Sequence, residues 1–233
     1  MSDSPVPPPA SSATARLLRG VRLGMPVFLG YVPIAAAFGL AATSKGFSVL
    51  QSVACSAFVF AGAGQFIGLA ALAGGSLAAA LIATGVLNLR HLLFSATMAP
   101  HLADVPRRQQ WMVAFMLTDE VFAVNVADAR EGRADVYSML GVGLIAWLGW
   151  VLGTLAGSLA GGAIGNPEMW GVGFAMPAMF IALLVGQLTG RREFIAGGVA
   201  AAAALLLANV LPGQWPVVAA AVLAATVMAV TER

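Results

Sequence analysis

Charge is what this chain has least of: Asp, Glu, Lys and Arg make up 9% of its 233 residues. A soluble globular domain carries about 25%, so that class is excluded. Cys55 is the single cysteine, which rules out an intrachain disulfide and leaves the redox compartment open. The two histidines, His91 and His101, stand ten residues apart; that is not ligand spacing, and no metal is expected. No Gly-x-x-x-x-Gly-Lys phosphate loop occurs, so direct nucleotide drive is not expected and no cofactor is implied. A formal charge of +2, dispersed along the chain, offers no nucleic-acid surface.

What fills the chain is apolar: 60% of residues are hydrophobic and the mean hydropathy is +0.89. This composition reads as an all-α polytopic membrane protein in a lipid bilayer. Eight apolar runs lie between clusters of charge or turn residues, at 23–43, 48–73, 76–101, 109–127, 136–161, 168–189, 194–211 and 215–231. Most approach or exceed the roughly 20 residues that cross the hydrocarbon core; the last two are short. Residues 1–20 begin with a stretch rich in Pro, Ser and Ala and are expected to be a disordered cytoplasmic tail, leaving 21–233 as the transmembrane domain. Arg16, Arg19 and Arg22 before an apolar run resemble a signal peptide, but the run is long enough to span and more spans follow. The better reading is an uncleaved first helix. With the N-terminus inside, cytoplasmic segments carry Arg16, Arg19, Arg22, Arg130, Arg133, Arg191, Arg192 and Arg233. The outer loops carry Lys45, Arg107 and Arg108, and the excess puts both termini in the cytoplasm.

Gly149, Gly153, Gly157 and Gly161 recur every fourth residue in the fifth span, a smooth stripe against which another backbone can pack. Pro26 and Pro33 in the first span and Pro177 in the sixth each remove a backbone donor and are expected to bend or break their helices. The surroundings of Pro33 (Tyr31-Val32-Pro33) and Pro177 (Ala175-Met176-Pro177) are loosely alike, five spans apart, as in an inverted repeat. The run Ala61-Gly62-Ala63-Gly64-Gln65-Phe66 is glycine-rich enough to unwind a helix locally, freeing amides and carbonyls for a small zwitterion. Close packing of small residues accounts for Gly62 and Gly64 equally well. Gln65 is harder to dismiss, because an amide at membrane depth needs a partner.

Three charges fall near the centres of their spans: Arg90 in the third, Asp119 and Glu120 in the fourth. Each costs about 2.5–3.5 kcal/mol on insertion scales, so it should face the protein interior or a water-filled cavity. Arg90 at that depth can meet one carboxylate. Neighbouring helix residues point about 100° apart, so Asp119 and Glu120 should have different partners, one of them free for a proton or an ammonium group. A buried ion pair that merely fixes helix register is the plainer reading, and the two can coexist. Asn88 and His91, three apart, share a helix face, whereas Arg90 projects elsewhere. Amide, imidazole and guanidinium together suit carboxylate binding and proton relay, although a lone histidine can equally serve helix packing. Asn125 and Asn209 lie nearer the ends of their spans and are weaker candidates.

Leu87-Asn88-Leu89-Arg90-His91-Leu92-Leu93-Phe94, Ala61-Gly62-Ala63-Gly64-Gln65-Phe66, Leu117-Thr118-Asp119-Glu120-Val121-Phe122-Ala123 and the early Gly-x-Pro and Tyr-x-Pro pattern between Gly24 and Pro33 resemble the AzlC family of branched-chain amino acid permeases. The resemblance covers about residues 20–231. It implies a bacterial inner-membrane exporter subunit acting with a small AzlD-type membrane protein, and a transport role for the 21–233 domain. The chemistry agrees. A branched-chain amino acid substrate needs a cation for its carboxylate (Arg90, or a broken-helix N-terminus), an acceptor for its ammonium group (Asp119 or Glu120), and apolar walls such as Phe66, Phe94 and Phe122. Proton coupling through Asp119, Glu120 or His91 is the natural drive for such a secondary transporter. The alternatives are another small solute, an assembly subunit whose partner holds the path, and an intramembrane enzyme. For the last, Ser95 one turn after His91 has no orienting third group.

Overall fold

The computed structural model describes residues 12–75, 77–133, 135–164, 190–210 and 215–231, with Phe174, Ile181, Leu184, Val185 and Leu188 as isolated positions. Among the described residues every regular element is helical. Three helices are long and apolar enough to cross a membrane: Ala13–Ser44, Ala80–Leu102 and Val136–Gly161.

The first helix, α1 (Ala13–Ser44), begins where Ser12 Oγ accepts the Ala15 N–H at 3.2 Å. Residues 13–20, expected in the tail, are therefore helical. Nor does α1 break at Pro26 or Pro33, which both lie inside one continuous helix. Both are exposed, so each ring sits away from the buried face and packing along that face carries the helix past the lost donor.

That packing is against α8 (Val136–Ile164), numbered in chain order after the shorter helices below. Gly20 meets Ser138, Gly24 meets Val142, Gly153 meets Val32, and Gly161 meets Thr43; both partners advance together, so the helices run parallel. The expected glycine stripe is the contact. A Cβ on Gly153 would lie 2.5 Å from the Val32 carbonyl oxygen, and one on Gly157 would overlap that of Ala36. With lipid on the other side there is little hydrophobic gain in bringing helices together, so close backbone approach supplies dispersion contact instead.

Between these helices the chain is cut into short pieces. The expected second span is α2 (Val49–Phe58) and α3 (Ala63–Ala73). The third, which holds the long Ala80–Leu102 stretch, divides only lightly, Leu89 keeping helical dihedrals, into α4 (Leu77–Asn88), α5 (Arg90–Met98) and a 3-10 turn (Ala99–Leu102). The fourth is α6 (Arg107–Phe115) and α7 (Asp119–Arg130). The α2–α3 break falls in the glycine-rich run, where Gly62 has φ +39°, a conformation costly for other residues. Along α1, Arg19 meets Asp128 and Tyr31 meets Thr118, so α7 runs antiparallel to α1. α1 and α8 therefore run parallel, with α7 reversed against both.

A second compact unit, residues 174–233, contains α9 (Arg191–Leu207) and α10 (Trp215–Thr231), 17 residues each and packed on one another. Pro177 and the rest of the motif expected to repeat Tyr31-Val32-Pro33 lie outside the described residues.

Candidate functional site

The α6–α7 break builds the centre of the site. Thr118 caps α7, its Oγ1 accepting the Val121 N–H at 3.3 Å. Asp119 and Glu120 therefore occupy the first turn of a half-helix, where the dipole favours negative charge. Reading 109–127 as one span concealed this, although Thr-Asp-Glu is a helix-start signal.

The two carboxylates do have different partners. Asp119 Oδ2 pairs with Arg90 Nη2 of α5 at 2.8 Å. Glu120 accepts from the Tyr31 hydroxyl of α1. With the tyrosine proton on Glu120, the 2.7 Å contact between Tyr31 and Thr118 hydroxyls has Thr118 as donor. Tyr31 is 5% exposed and its ring is held edge-on by Trp150 at 5.1 Å and Phe60 at 6.1 Å. A buried hydroxyl on a clamped ring fixes one carboxylate oxygen in place.

Around Arg90 the structure leaves polar capacity uncommitted. Its buried Nε and the buried Asn88 Oδ1 have no hydrogen-bond partner. His91 Nδ1 lies 3.2 Å from the Asn88 carbonyl oxygen, and its ring packs edge-on against Phe94 at 5.7 Å. Phe94 in turn stacks on Phe122 of α7 at 4.4 Å. Leu92 and Leu93 on the same helix are exposed, whereas Arg90 and His91 are half-buried. Phe66, expected to wall the substrate, packs edge-on against Phe38 at 5.4 Å.

A second polar group lies across the α2–α3 break. Gln65 Oε1 accepts from Trp150 Nε1 at 2.6 Å, while its Nε2 donates to Ser56 Oγ at 3.2 Å and faces Cys55 Sγ at 3.4 Å. Ser56 is bonded in turn to Thr154 at 2.7 Å, and Trp147 Nε1 donates to the Ala57 carbonyl oxygen at 3.0 Å. The amide that needed a partner thus has several, all within the protein, and the two tryptophans of α8 tie both half-helices to it. Gly64 permits the approach of α4: a Cβ there would lie 3.2 Å from both Asn88 Nδ2 and Thr84 Cγ2. Gln65→Leu is expected to leave the Trp150 N–H without an acceptor and to lower stability by about 1–3 kcal/mol. Thermal unfolding in detergent checks this.

Neither Tyr31, Thr118, Ser56 and Thr154 nor the two tryptophans were sought in the sequence as functional partners. Two signals were there: the Thr118-Asp119-Glu120 helix start, and Trp147 and Trp150 at helical i, i+3 spacing in an apolar span. Pro33 lies in a continuous helix, as described above, and Asn209 is exposed.

At the N-terminal end of α1 a further ionic cluster joins three elements. Asp128 accepts from Arg19 Nη1 at 2.9 Å and Arg133 Nε at 3.2 Å. Arg16 Nη1 pairs with Asp135 Oδ1 at 2.6 Å. Burial pushes the Asp128 carboxyl up, but the guanidinium hydrogen bonds outweigh it and hold the group below its usual range. This tie is therefore present at neutral pH and lost only as acidification protonates Asp128.

Comparison with known proteins places the chain among membrane proteins. Residues 26–164 match the family described as AzlC protein, a segment holding every residue of the two polar groups. The chain is 34% identical over 198 residues to the inner membrane protein YgaZ of Escherichia coli, covering 82% of this chain and 80% of that one. It is 36% identical over 200 residues to an uncharacterized membrane protein of Archaeoglobus fulgidus, covering 84% and 88%. The branched-chain amino acid transport protein AzlC of Bacillus subtilis is 29% identical over 166 residues, covering 70% and 64%. No solved structure matches. These names point to membrane transport rather than catalysis, and the chain belongs to the AzlC family.

Proposed function

We propose that this chain is the large subunit of a secondary transporter that exports branched-chain amino acids across the bacterial inner membrane, coupled to protons and acting with a small AzlD-type membrane subunit. The observation that carries the reading is the set Arg90, Asp119 and Glu120, gathered where α7 begins and held by helices on either side. Intramembrane charges at that cost mark substrate and ion paths. The name of the Bacillus subtilis relative supplies the substrate class.

The roles follow from the chemistry. Arg90, with an uncommitted Nε, takes the substrate carboxylate, and Asp119, released from Arg90, takes the ammonium group. Glu120 carries the proton. Phe94 and Phe122 offer apolar surface, and a groove of about 220 Å³ lined by Ser95, Met98 and Leu117 among others lies against the residue before Thr118. The Arg19–Asp128 end of α1 and α7 faces the cytoplasm, in keeping with the arginine-rich segments gathered there.

The test is leucine, isoleucine and valine efflux from bacterial cells preloaded with branched-chain dipeptides, with and without the chain and its small partner. Efflux should require both and should fall when the membrane pH gradient and potential are collapsed. Unchanged efflux after that collapse would sink the coupling; efflux of other solutes only would sink the substrate assignment.

Tyr31→Phe keeps the ring in its aromatic clamp and removes the hydroxyl that donates to Glu120. The variant should insert normally and lose roughly tenfold in coupled efflux, a modest share of what a positioned proton-transfer group supplies. Efflux at the native rate would show that Glu120 needs no such partner.

A further inference from the structure

Asn125 has no part in the site as described, yet it is 2% exposed and its Nδ2 has no hydrogen-bond partner. Buried amides are nearly always satisfied, and an orphaned donor costs about 1–3 kcal/mol. Its position on α7 is what gives it meaning. Val121, Asn125 and Asp128 are the buried residues of this helix, and three- and four-residue steps put them on one stripe. The stripe faces α1: Tyr31 of α1 bonds Thr118 and Glu120 at one end, and Arg19 of α1 bonds Asp128 at the other.

We propose that this stripe is a proton route between Glu120 and the Arg19–Asp128 end, with Asn125 as its intermediate station. The inference rests on the proton-coupled reading of Glu120 given above. Thr118, three residues before Val121, extends the stripe and shares the Tyr31 hydroxyl with Glu120; at about 1.5 Å rise per residue, Asn125 stands roughly 10.5 Å along the axis from Thr118 and 4.5 Å from Asp128, separations that a short chain of waters bridges. An amide able to donate and accept can hold such waters, whereas the apolar Val121, 1% exposed, cannot. Among the described residues, the charged or titratable groups bordering the route are Tyr31 and Arg19 on α1, Asp119 and Arg90 at its inner end, Arg133 beside Asp128, and the Arg133–Glu131 and Arg16–Asp135 pairs around them. Ser138 of α8, 3.2 Å from Arg19 Nη1, closes the outer end.

The experiment reconstitutes the full chain with its small partner in liposomes. It measures leucine counterflow, which moves no net proton, beside leucine-driven proton flux read by a trapped pH dye. Asn125→Leu, close in shape but without polar atoms, should keep counterflow and lose proton flux by more than about tenfold. Asn125→Ser should retain most of the flux. Proton flux at the native level in Asn125→Leu would overturn the route, and so would joint loss of counterflow and flux in both variants, the result of a packing role. Counterflow by the native protein without any proton flux would overturn the coupling itself, and the route with it.

Discussion

Gly30→Ala and Gly157→Ala, the same change on the two long helices, are expected to move stability in opposite directions. Gly30 lies on the exposed face of α1 with nothing within 4 Å of an added Cβ. Alanine there gains about 0.5–1 kcal/mol from reduced backbone entropy loss. Gly157 has the Ala36 backbone where its Cβ would go, and backbone cannot turn aside as a flexible side chain can. Forcing the helices apart costs about 1–3 kcal/mol, and the loss spreads along a parallel interface running from Gly20–Ser138 to Thr43–Gly161. Gly157→Leu should therefore yield almost no protein that survives extraction as a monodisperse species. Melting temperature by size-exclusion after heating, for all three variants, checks the ordering. A Gly157→Leu protein as stable as the native chain would mean that the two helices do not pack this closely.

Arg90→Met is expected to be the most damaging single change in the site. It leaves Asp119, 19% exposed at the side chain, as a carboxylate without its cation. Breaking one half of a buried pair costs about 3–5 kcal/mol, and the partial exposure of Arg90 (29%) and Asp119 points to the low end. Efflux should fall to background even in protein that reaches the membrane. Arg90→Lys keeps the charge but loses the planar fork, so partial activity is the expected result. Quantifying inserted protein beside efflux separates the stability cost from the transport loss.

Much of this was legible in the sequence because the bilayer is a simple solvent. Charge at membrane depth is expensive, so Arg90, Asp119 and Glu120 stood out against apolar neighbours, and the guess that only one carboxylate pairs with Arg90 is what the geometry has. The glycine stripe could be read because its four-residue spacing leaves one smooth face, whereas at Gly62 a break and close packing were equally open readings and the φ of +39° decides for the break. What could not be read was which helix faces which. Tyr31 is one of two tyrosines, and nothing in an apolar run says that its hydroxyl meets a carboxylate 89 residues away. Prolines misled, because a ring on the exposed side of a well-packed helix is tolerated, and Pro26 and Pro33 are both of that kind. The unpaired amide of Asn125 was discounted for lying near a span end, a judgement of depth that ignored its place on the face that meets α1.

Loss of function in Arg90→Met alone does not separate a transport site from a structural pair, since both suffer when one charge is stranded. The double replacement Arg90→Met with Asp119→Leu does, because it removes both charges and leaves comparable apolar volume. Such exchanges are often neutral or stabilising where a pair only holds structure. The measurement is branched-chain amino acid efflux by the correctly inserted double variant, normalised to membrane protein. Background efflux from a stable, inserted protein is the predicted result. Efflux at the native rate would reduce Arg90 and Asp119 to a brace between α5 and α7 and would contradict the account.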